Sequence, residues 1–203
     1  MNTIEPMTPE LVDQATVTLT RAFDADPMFT WIFPDAERRA RSLEVLNRVP
    51  LRYGMRYGHV AQSHGGRAVA IWVPPGRSVS VVGMIRSGML SVPFRVGLRA
   101  FREFAGANGI LEKIHARHVP EPHWYLVVVA VDPKLQGRGL GSALVEEGLA
   151  RADHSNSPCY LETSEERNVR FYQRYGFTVI TKVPLGRGGP PAWAMRREPR
   201  RVT

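Results

Sequence analysis

From Asp132 to Ala143 the chain reads Asp-Pro-Lys-Leu-Gln-Gly-Arg-Gly-Leu-Gly-Ser-Ala, with glycines at 137, 139 and 141. Glycine lets several backbone N–H groups turn toward one point and lets a ligand come close to the chain. A helix that starts directly after such a loop leaves its first N–H groups unpartnered and carries partial positive charge there. The chemistry this suits is the seating of a phosphate or pyrophosphate. A P-loop is excluded, because Gly141 is followed by Ser142-Ala143 with no lysine. A dinucleotide fingerprint is excluded too: counted from Gly137 or Gly139, its third glycine position falls on Ser142 or Leu144, and Asp132-Pro-Lys-Leu135 separates the loop from its strand. The pattern that fits is Gln136-x-x-Gly139-x-Gly141. Other reactive residue types are sparse. Cys159 is the one cysteine, set in the apolar-leaning run Pro158-Cys-Tyr-Leu161; it reads as an inert core residue, with no histidine in sequence context to activate it. Of the histidines at 59, 64, 115, 118, 123 and 154, His115 and His118 share a helical spacing. A metal would need further ligands, so none is expected.

The elements that must position the loop can be read around it. Tyr125-Leu-Val-Val-Val-Ala-Val131 is an unbroken, β-branched run, which reads as a strand buried on both faces and ended by Asp132-Pro133. A helix is expected to start at Ser142 and run to about Asp153, burying Leu140, Leu144, Val145, Leu149 and Ala152. Cys159–Thr163 reads as a second strand, and strand, loop, helix, strand is by default a right-handed βαβ unit. Asn168–Tyr175 reads as a short helix stopped by Gly176, followed by strands at Phe177–Val183 and Ala192–Arg196. Upstream, Thr8-Pro9-Glu10 opens a helix that ends at Asp24-Ala-Asp-Pro27; an aromatic patch, Met28–Phe33, follows; Asp35 caps a helix over Ala36–Tyr57. His59–His64 and Arg67–Val73 flank Gly65-Gly66 as a hairpin with a two-residue turn. Residues 78–118 read as helical, with breaks at Pro93 and near Gly106–Gly109, and as either core packing or a lid over a pocket.

At 203 residues and 43% hydrophobic, the chain is long enough for one domain with a full core. The net charge is +8 and nearly all arginine, the lysines being Lys113, Lys134 and Lys182. Such a surface suits nucleic acid, an acidic membrane face or a phosphorylated ligand, or simply solubility. No N-terminal signal pattern is seen, and no apolar run reaches the ~18 residues of a membrane span. A cytoplasmic protein, monomeric or homodimeric, is expected.

The glycine loop and a second motif together resemble the GNAT acyltransferase superfamily. The loop is similar to its pyrophosphate loop. Asn168, Phe171, Tyr172, Gly176 and Phe177 match its second signature, Asn-x-x-hydrophobic-Tyr-x-x-x-Gly-Phe, after the strand that follows the loop's helix. From Glu121 to Glu198 the chain looks most like the puromycin N-acetyltransferase group, through Val131-Asp-Pro133, Leu161-Glu-Thr-Ser164, Arg167-Asn168, Gly176-Phe-Thr-Val179 and Trp193-Ala-Met195; Trp72 also has a counterpart there, while the first 60 residues match less well.

The resemblance implies a single GNAT domain, a mixed and largely antiparallel sheet flanked by helices: residues 1–57 on the acceptor side, 58–198 the acetyl-CoA-binding core, 199–203 a loose tail. It implies acetyl-CoA as co-substrate and direct transfer to the primary amine of a small molecule, aminonucleoside antibiotics among them. Val129 and Val131 would hold the pantetheine as a neighbouring strand would, beside an implied bulge. Gln136, Gly137, Arg138, Gly139, Leu140, Gly141 and Ser142 would hold the pyrophosphate, with Asn168 also on the cofactor side. Tyr172, one helical turn after Asn168, would protonate the leaving thiolate. Glu162 would serve as base or as a structural carboxylate. Phe29, Trp31 and Trp72 would stack on the acceptor. The opposed reading is a basic nucleic-acid-binding or interaction protein with a vestigial CoA site, supported by the arginine-rich second helix and tail, whereas the enzyme reading needs neither nucleic acid nor membrane.

Overall fold

The computed structural model describes residues 3–77 and 79–200. A sheet of order β1-β2-β3-β4-β5-β7-β6 runs through it: β1 Glu5–Pro6, β2 His59–Ser63, β3 Ala68–Val73, β4 Trp124–Val131, β5 Cys159–Thr163, β6 Thr178–Pro184 and β7 Pro191–Arg197. Every neighbouring pair is antiparallel except β4–β5, which is parallel and joined through α7, Leu140–His154. This is the mixed, largely antiparallel α/β architecture expected. The remaining helices are α1 Val12–Phe23, α2 Pro27–Ile32, α3 Ala36–Tyr57, α4 Val81–Arg86, α5 Val92–Val96, α6 Leu98–His118 and α8 Glu166–Gln173. No helix among the described residues is long and apolar enough to cross a membrane.

The strand β4 organises the core because it supplies both faces. Trp124 and Leu126 pack with Val129 and Val131 on the side of α7, together with Leu140, Leu144, Val145 and Ala152. Val128 and Ala130, with Val127, pack on the opposite side against Ala15, Leu19 and Leu51 of α1 and α3. Even-numbered residues thus face α7 before position 127 and odd-numbered ones after it. The cause is a slipped register: Ile71 pairs with Val128 but Trp72 pairs with Leu126, so Val127 has no opposite residue on β3. That is a β-bulge, which bends the strand and leaves one peptide out of the ladder. Both faces contact core, as expected, but Tyr125, Val127 and Val129 stay half-buried because a cavity opens along them, and Val131 is half-buried beyond it.

Several local expectations need correction. The aromatic segment after Asp26 is itself helical, because the Asp26 carboxylate caps Met28 N and Phe29 N and Pro27 sits in the first turn. Thr8 is extended but makes no capping bond, so the first helix begins as a 3₁₀ turn, Pro9–Leu11. The hairpin turn is longer than two residues: Ser63 pairs with Ala68, and His64, Gly65 and Gly66 all have positive φ. Residues Gly106–Gly109 do not break α6, which runs unbroken from Leu98 to His118; the interruptions fall instead at Ser87–Gly88 and at Gly97. Pro93 sits in the first turn of α5, where its missing N–H costs nothing. Helix α7 starts at Leu140 on a left-handed Gly139 cap, two residues ahead of Ser142. Of the expected loose tail, Arg200 N donates to Asp153 Oδ1 at 2.7 Å, and residues 201–203 lie outside the described residues.

Candidate functional site

Strands β4 and β5 pair only at Trp124–Cys159, Tyr125–Tyr160 and Leu126–Leu161. Past Leu126 the two diverge, so the backbone of Val127–Val131 has no strand partner on that side. A strand edge left open inside a molecule presents donors and acceptors for an extended, amide-bearing ligand. Val129 lies on this edge and lines the cavity. Val131 lies further along, near the glycine loop: a Cβ placed on Gly141 would sit 3.7 Å from Val131 Cγ2 and 4.0 Å from Val129 Cγ1.

The loop itself has the geometry of an anion seat. Gly137 and Gly139 both hold φ of 77°, a conformation that favours glycine. The first intrahelical bond, Ala143 N to Gly139 O, is 3.0 Å, so the N–H groups of Leu140, Gly141 and Ser142 precede it at the positive end of α7. The Leu140 side chain is buried, which leaves only its backbone for a ligand. Gln136 Nε2 donates to Val131 O at 3.2 Å, and Asp132 caps Lys134 N at 3.0 Å; both bonds fix how the loop leaves the strand. Asp132 is almost wholly buried and paired with Arg21 and Arg67, and the Lys134 amide, with the arginines assisting, holds its carboxyl below the usual range. Gln136, Gly137, Arg138 and Gly139 are exposed. The donor set and the open strand edge therefore fit a pyrophosphate joined to an extended amide chain, as in acetyl-CoA.

Tyr172 and Glu162 face the same cavity, of about 1040 Å³. Helix α8 presents Tyr172 inward, and the rings of Phe171 (5.1 Å) and Phe177 (5.9 Å) fix its plane. Burial pushes the phenol well above its ordinary pKa, so it stays protonated. Asn168 Nδ2 donates to Thr163 Oγ1 at 3.3 Å, tying the start of α8 to the end of β5. Glu162 is partly buried on β5 and accepts from Tyr125 Oη at 2.7 Å; the Tyr160 hydroxyl faces the same carboxylate but falls short of hydrogen-bond geometry. Burial raises the Glu162 carboxyl to about 7, and the tyrosine hydroxyl only partly opposes this.

Sequence reasoning missed the aromatic and histidine wall around Glu162. His115 stacks on Tyr160 (4.2 Å, 16°), its Nε2 lies 2.5 Å from His123 Nε2, and His123 Nδ1 donates to Glu121 O at 2.7 Å. Burial first, and His123 second, lower the His115 imidazole to about 4, so it is neutral at neutral pH. The His115 and His123 positions, eight residues apart, come together because the chain turns between the end of α6 and the start of β4, which helical spacing does not encode. His118, the helical partner read from the sequence, has no part in this cluster. Among the described residues no group of three or more His, Cys, Asp or Glu stands ready to hold a metal.

The three expected acceptor-side aromatics separate. Phe29 lines the cavity, stacked on Phe104 at 6.4 Å. Trp31 does not; it packs over the 185–190 loop, 3.3 Å from the Cβ positions of Gly186 and Gly189. Trp72 is fully buried between Gly148 and Trp124, on the α7 side of the sheet, and cannot stack on an acceptor. Cys159 is likewise buried, its thiol pushed up to about 12, so no thiolate is at hand for a covalent route.

Residues 76–177, about half the chain, match the acetyltransferase (GNAT) family. The chain is 26% identical over 196 residues to an uncharacterized N-acetyltransferase of Schizosaccharomyces pombe, covering 92% of this chain and 79% of that protein. Over 70 residues it is 39% identical to the mycothiol acetyltransferase of Acidimicrobium ferrooxidans, a match spanning 33% of this chain and 23% of that one. Its fold is similar to the crystal structure described as histone acetyltransferase HPA2 and related acetyltransferase from Corynebacterium glutamicum, with a TM-score of 0.69 and 24% identity over 100% of this chain and 99% of that one. With the open strand edge, the glycine-capped helix and the buried tyrosine on one side of the sheet, the chain belongs to the GNAT acetyltransferase family and is an acyltransferase.

Proposed function

We propose that this protein transfers an acetyl group from acetyl-CoA directly to the primary amine of a small molecule carrying an aromatic or apolar body. The observation that carries this reading is the pairing of two groups of opposite protonation on one cavity: Glu162, poised near 7, and Tyr172, held protonated. In the proposed reaction Glu162 takes a proton from the amine, whose nitrogen then bonds to the thioester carbonyl carbon. The C–S bond breaks, and the departing sulfur takes the Tyr172 proton. The peptide freed by the bulge at Val127 is a candidate donor to the carbonyl oxygen as it gains charge. Amides at the start of α7 would seat the pyrophosphate, and Val129 and Val131 the pantetheine arm. Holding both substrates in line removes much of the entropic barrier.

The acceptor end of the cavity is walled by Phe23, Phe29, Phe101 and Phe104 from α1, α2 and α6, which favours a flat or apolar body. Aminonucleoside antibiotics fit that description, as do arylalkylamines. The nucleic-acid reading loses part of its support, because several of the α3 arginines have partners within the molecule. Arg39 is buried on Asp24, Phe33 O and Pro34 O; Arg38 donates to Val96 O; Arg48 pairs with Asp13. The test is release of free thiol from acetyl-CoA against a panel of aryl amines, aminonucleosides and polyamines. Turnover with an apolar primary amine supports the reading, and Phe29→Ala should raise that amine's KM while leaving acetyl-CoA affinity alone. Turnover restricted to polyamines would refute the apolar acceptor, and no acetyl-CoA binding by calorimetry would refute the whole assignment.

A further inference from the structure

Large exposed apolar side chains are concentrated in one place. Among the described residues only Val17 and Val179 lie elsewhere; the rest fall between Val79 and Leu98, with Phe94 91% exposed, Val81 75%, Leu98 67% and Leu90 64%. The same stretch is purely basic. From Pro74 to Arg102 the sequence holds Arg77, Arg86, Arg95, Arg99 and Arg102 and no aspartate or glutamate. Arg99 pairs with Glu103, whereas Arg86, Arg95 and Arg102 form no ion pair among the described residues.

These outward residues are not needed by the core. The segment is anchored by its inner side: Gly83 and Ser87 are buried, a Cβ on Gly83 would lie 2.6 Å from the Tyr53 ring, and Val92 and Val96 pack under α3. Arg56 and Arg38 of α3 donate to Arg86 O and Val96 O at the carboxyl ends of α4 and α5. The short helices are thus held in place while Val81, Leu90, Phe94 and Leu98 project into solvent. Exposed apolar side chains gathered on one segment in this way mark a contact surface.

We propose that this face docks on the surface of an anionic phospholipid bilayer. Exposed aliphatic and aromatic side chains ringed by unpaired arginines are what an interfacial segment requires: the apolar groups enter the acyl boundary while guanidinium groups meet lipid phosphates. A second copy of the chain is a poor occupant, because self-contact would bring Arg86, Arg95 and Arg102, which form no ion pair among the described residues, against their own copies. A nucleic-acid groove is poor as well, since its phosphates match the charge and leave the aliphatic groups desolvated against nothing apolar. Val79, Val81 and Ile85 also line the large cavity, so docking would set the cavity's rim against the membrane.

The experiment is co-flotation of the full chain, without acetyl-CoA, with phosphatidylcholine vesicles and with vesicles containing about a third phosphatidylserine. Binding should need the anionic lipid and weaken as salt is raised. Phe94→Ser with Leu98→Ser should weaken it at least about tenfold, and Arg95→Gln or Arg102→Gln about fivefold each. These side chains are exposed, and a circular-dichroism melt matching the parent chain verifies that the variants fold. Equal binding to both vesicle types, no binding to either, or unchanged binding by the Phe94/Leu98 variant overturns the proposal. Salt-sensitive duplex binding without vesicle binding, or a dimer abolished by Phe94→Ser, also overturns it and assigns the face to those partners. Acetyl-CoA is absent throughout, so this outcome is separate from that of the acetyl-transfer assay.

Discussion

The proposed chemistry rests on two side chains whose burial pushes them the same way for different ends. Desolvation raises both Glu162 and Tyr172. For a carboxyl this brings the titration into the working range; for a phenol it takes it far out of that range. Activity should therefore rise with pH through about 7 as Glu162 loses its proton. Glu162→Gln should lower kcat by about 10²–10⁴ and abolish that rise, measured as a kcat–pH profile. The same group costs stability as pH increases. The folded chain retains a proton, up to about 7, that the unfolded chain releases near 4.5, so folding weakens between those values. Glu162→Gln should raise Tm at pH 8 and change it little at pH 4, where wild type is protonated in both states. Tyr172→Phe should bind acetyl-CoA normally and lower kcat by about 10², the lower end for one general acid, because a thiol of pKa about 8.5 is already a fair leaving group. Wild-type kcat in that variant would leave Tyr172 a packing residue.

Among the elements, β4 and α7 set the geometry of everything else, and their closeness depends on one missing side chain. A Cβ on Gly148 would stand 2.2 Å from Trp72 Cε2, and Trp72 is fully buried with no room to retreat. In an exposed helix Gly→Ala gains about 0.5–1 kcal/mol. Here the sign should reverse: Gly148→Ala should cost about 1–3 kcal/mol in urea unfolding and shift α7, weakening acetyl-CoA binding with it. A neutral or stabilising result would mean that the helix slides freely on the sheet. The divergence of β4 and β5 past Leu126 has a local cause as well. The bulge at Val127 bends β4 away, while the Thr163 hydroxyl accepts from Glu165 N and Asn168 Nδ2 and turns β5 into α8.

At the level of the molecule, ties between distant segments hold the two sides of the cavity together. Ser164 Oγ donates to Asp26 at 2.9 Å, joining the capped start of α2 to the end of β5. Arg197 grips Asp153 through two bonds of 2.7 and 2.8 Å and donates to Tyr175 O, so the last strand locks α7 and the turn after α8. The Arg197 hydrogen bonds hold the Asp153 carboxyl below its ordinary 3.8. That contribution is complete above 3.8 and vanishes as pH falls through the lowered folded value. Asp153→Asn leaves the Arg197 guanidinium buried without its counter-charge and should cost roughly 3 kcal/mol at pH 7. The difference from wild type should shrink in strong acid, where wild type loses the pair as well. Urea unfolding at pH 7 and at pH 3 measures both, and an unchanged midpoint at pH 7 would show that the tie is decorative.

The family, the glycine loop at the start of α7 and the inward placement of Tyr172 were legible in the sequence because they are local. Gln136 to Ser142 and Asn168 to Phe177 each lie within one turn or one helix, where spacing alone decides which groups meet. The strand run at 125–131 and the Asp35 cap were legible for the same reason. Depth and company were not. Trp72 and Phe29 look alike as isolated aromatics, yet one is sealed under Gly148 and the other faces the cavity, a difference made by helices distant in sequence. Glu162 could be named as base or structural carboxylate, but not the burial that raises its pKa, because the groups that remove water from it come from other elements. Gly106 and Gly109 suggest a break that α6 does not make, since packing along a long helix outweighs two weak helix formers. The exposed face from Val79 to Leu98 looked like core or lid, because hydropathy counts apolar residues and cannot tell which side of a short helix the rest of the molecule will cover.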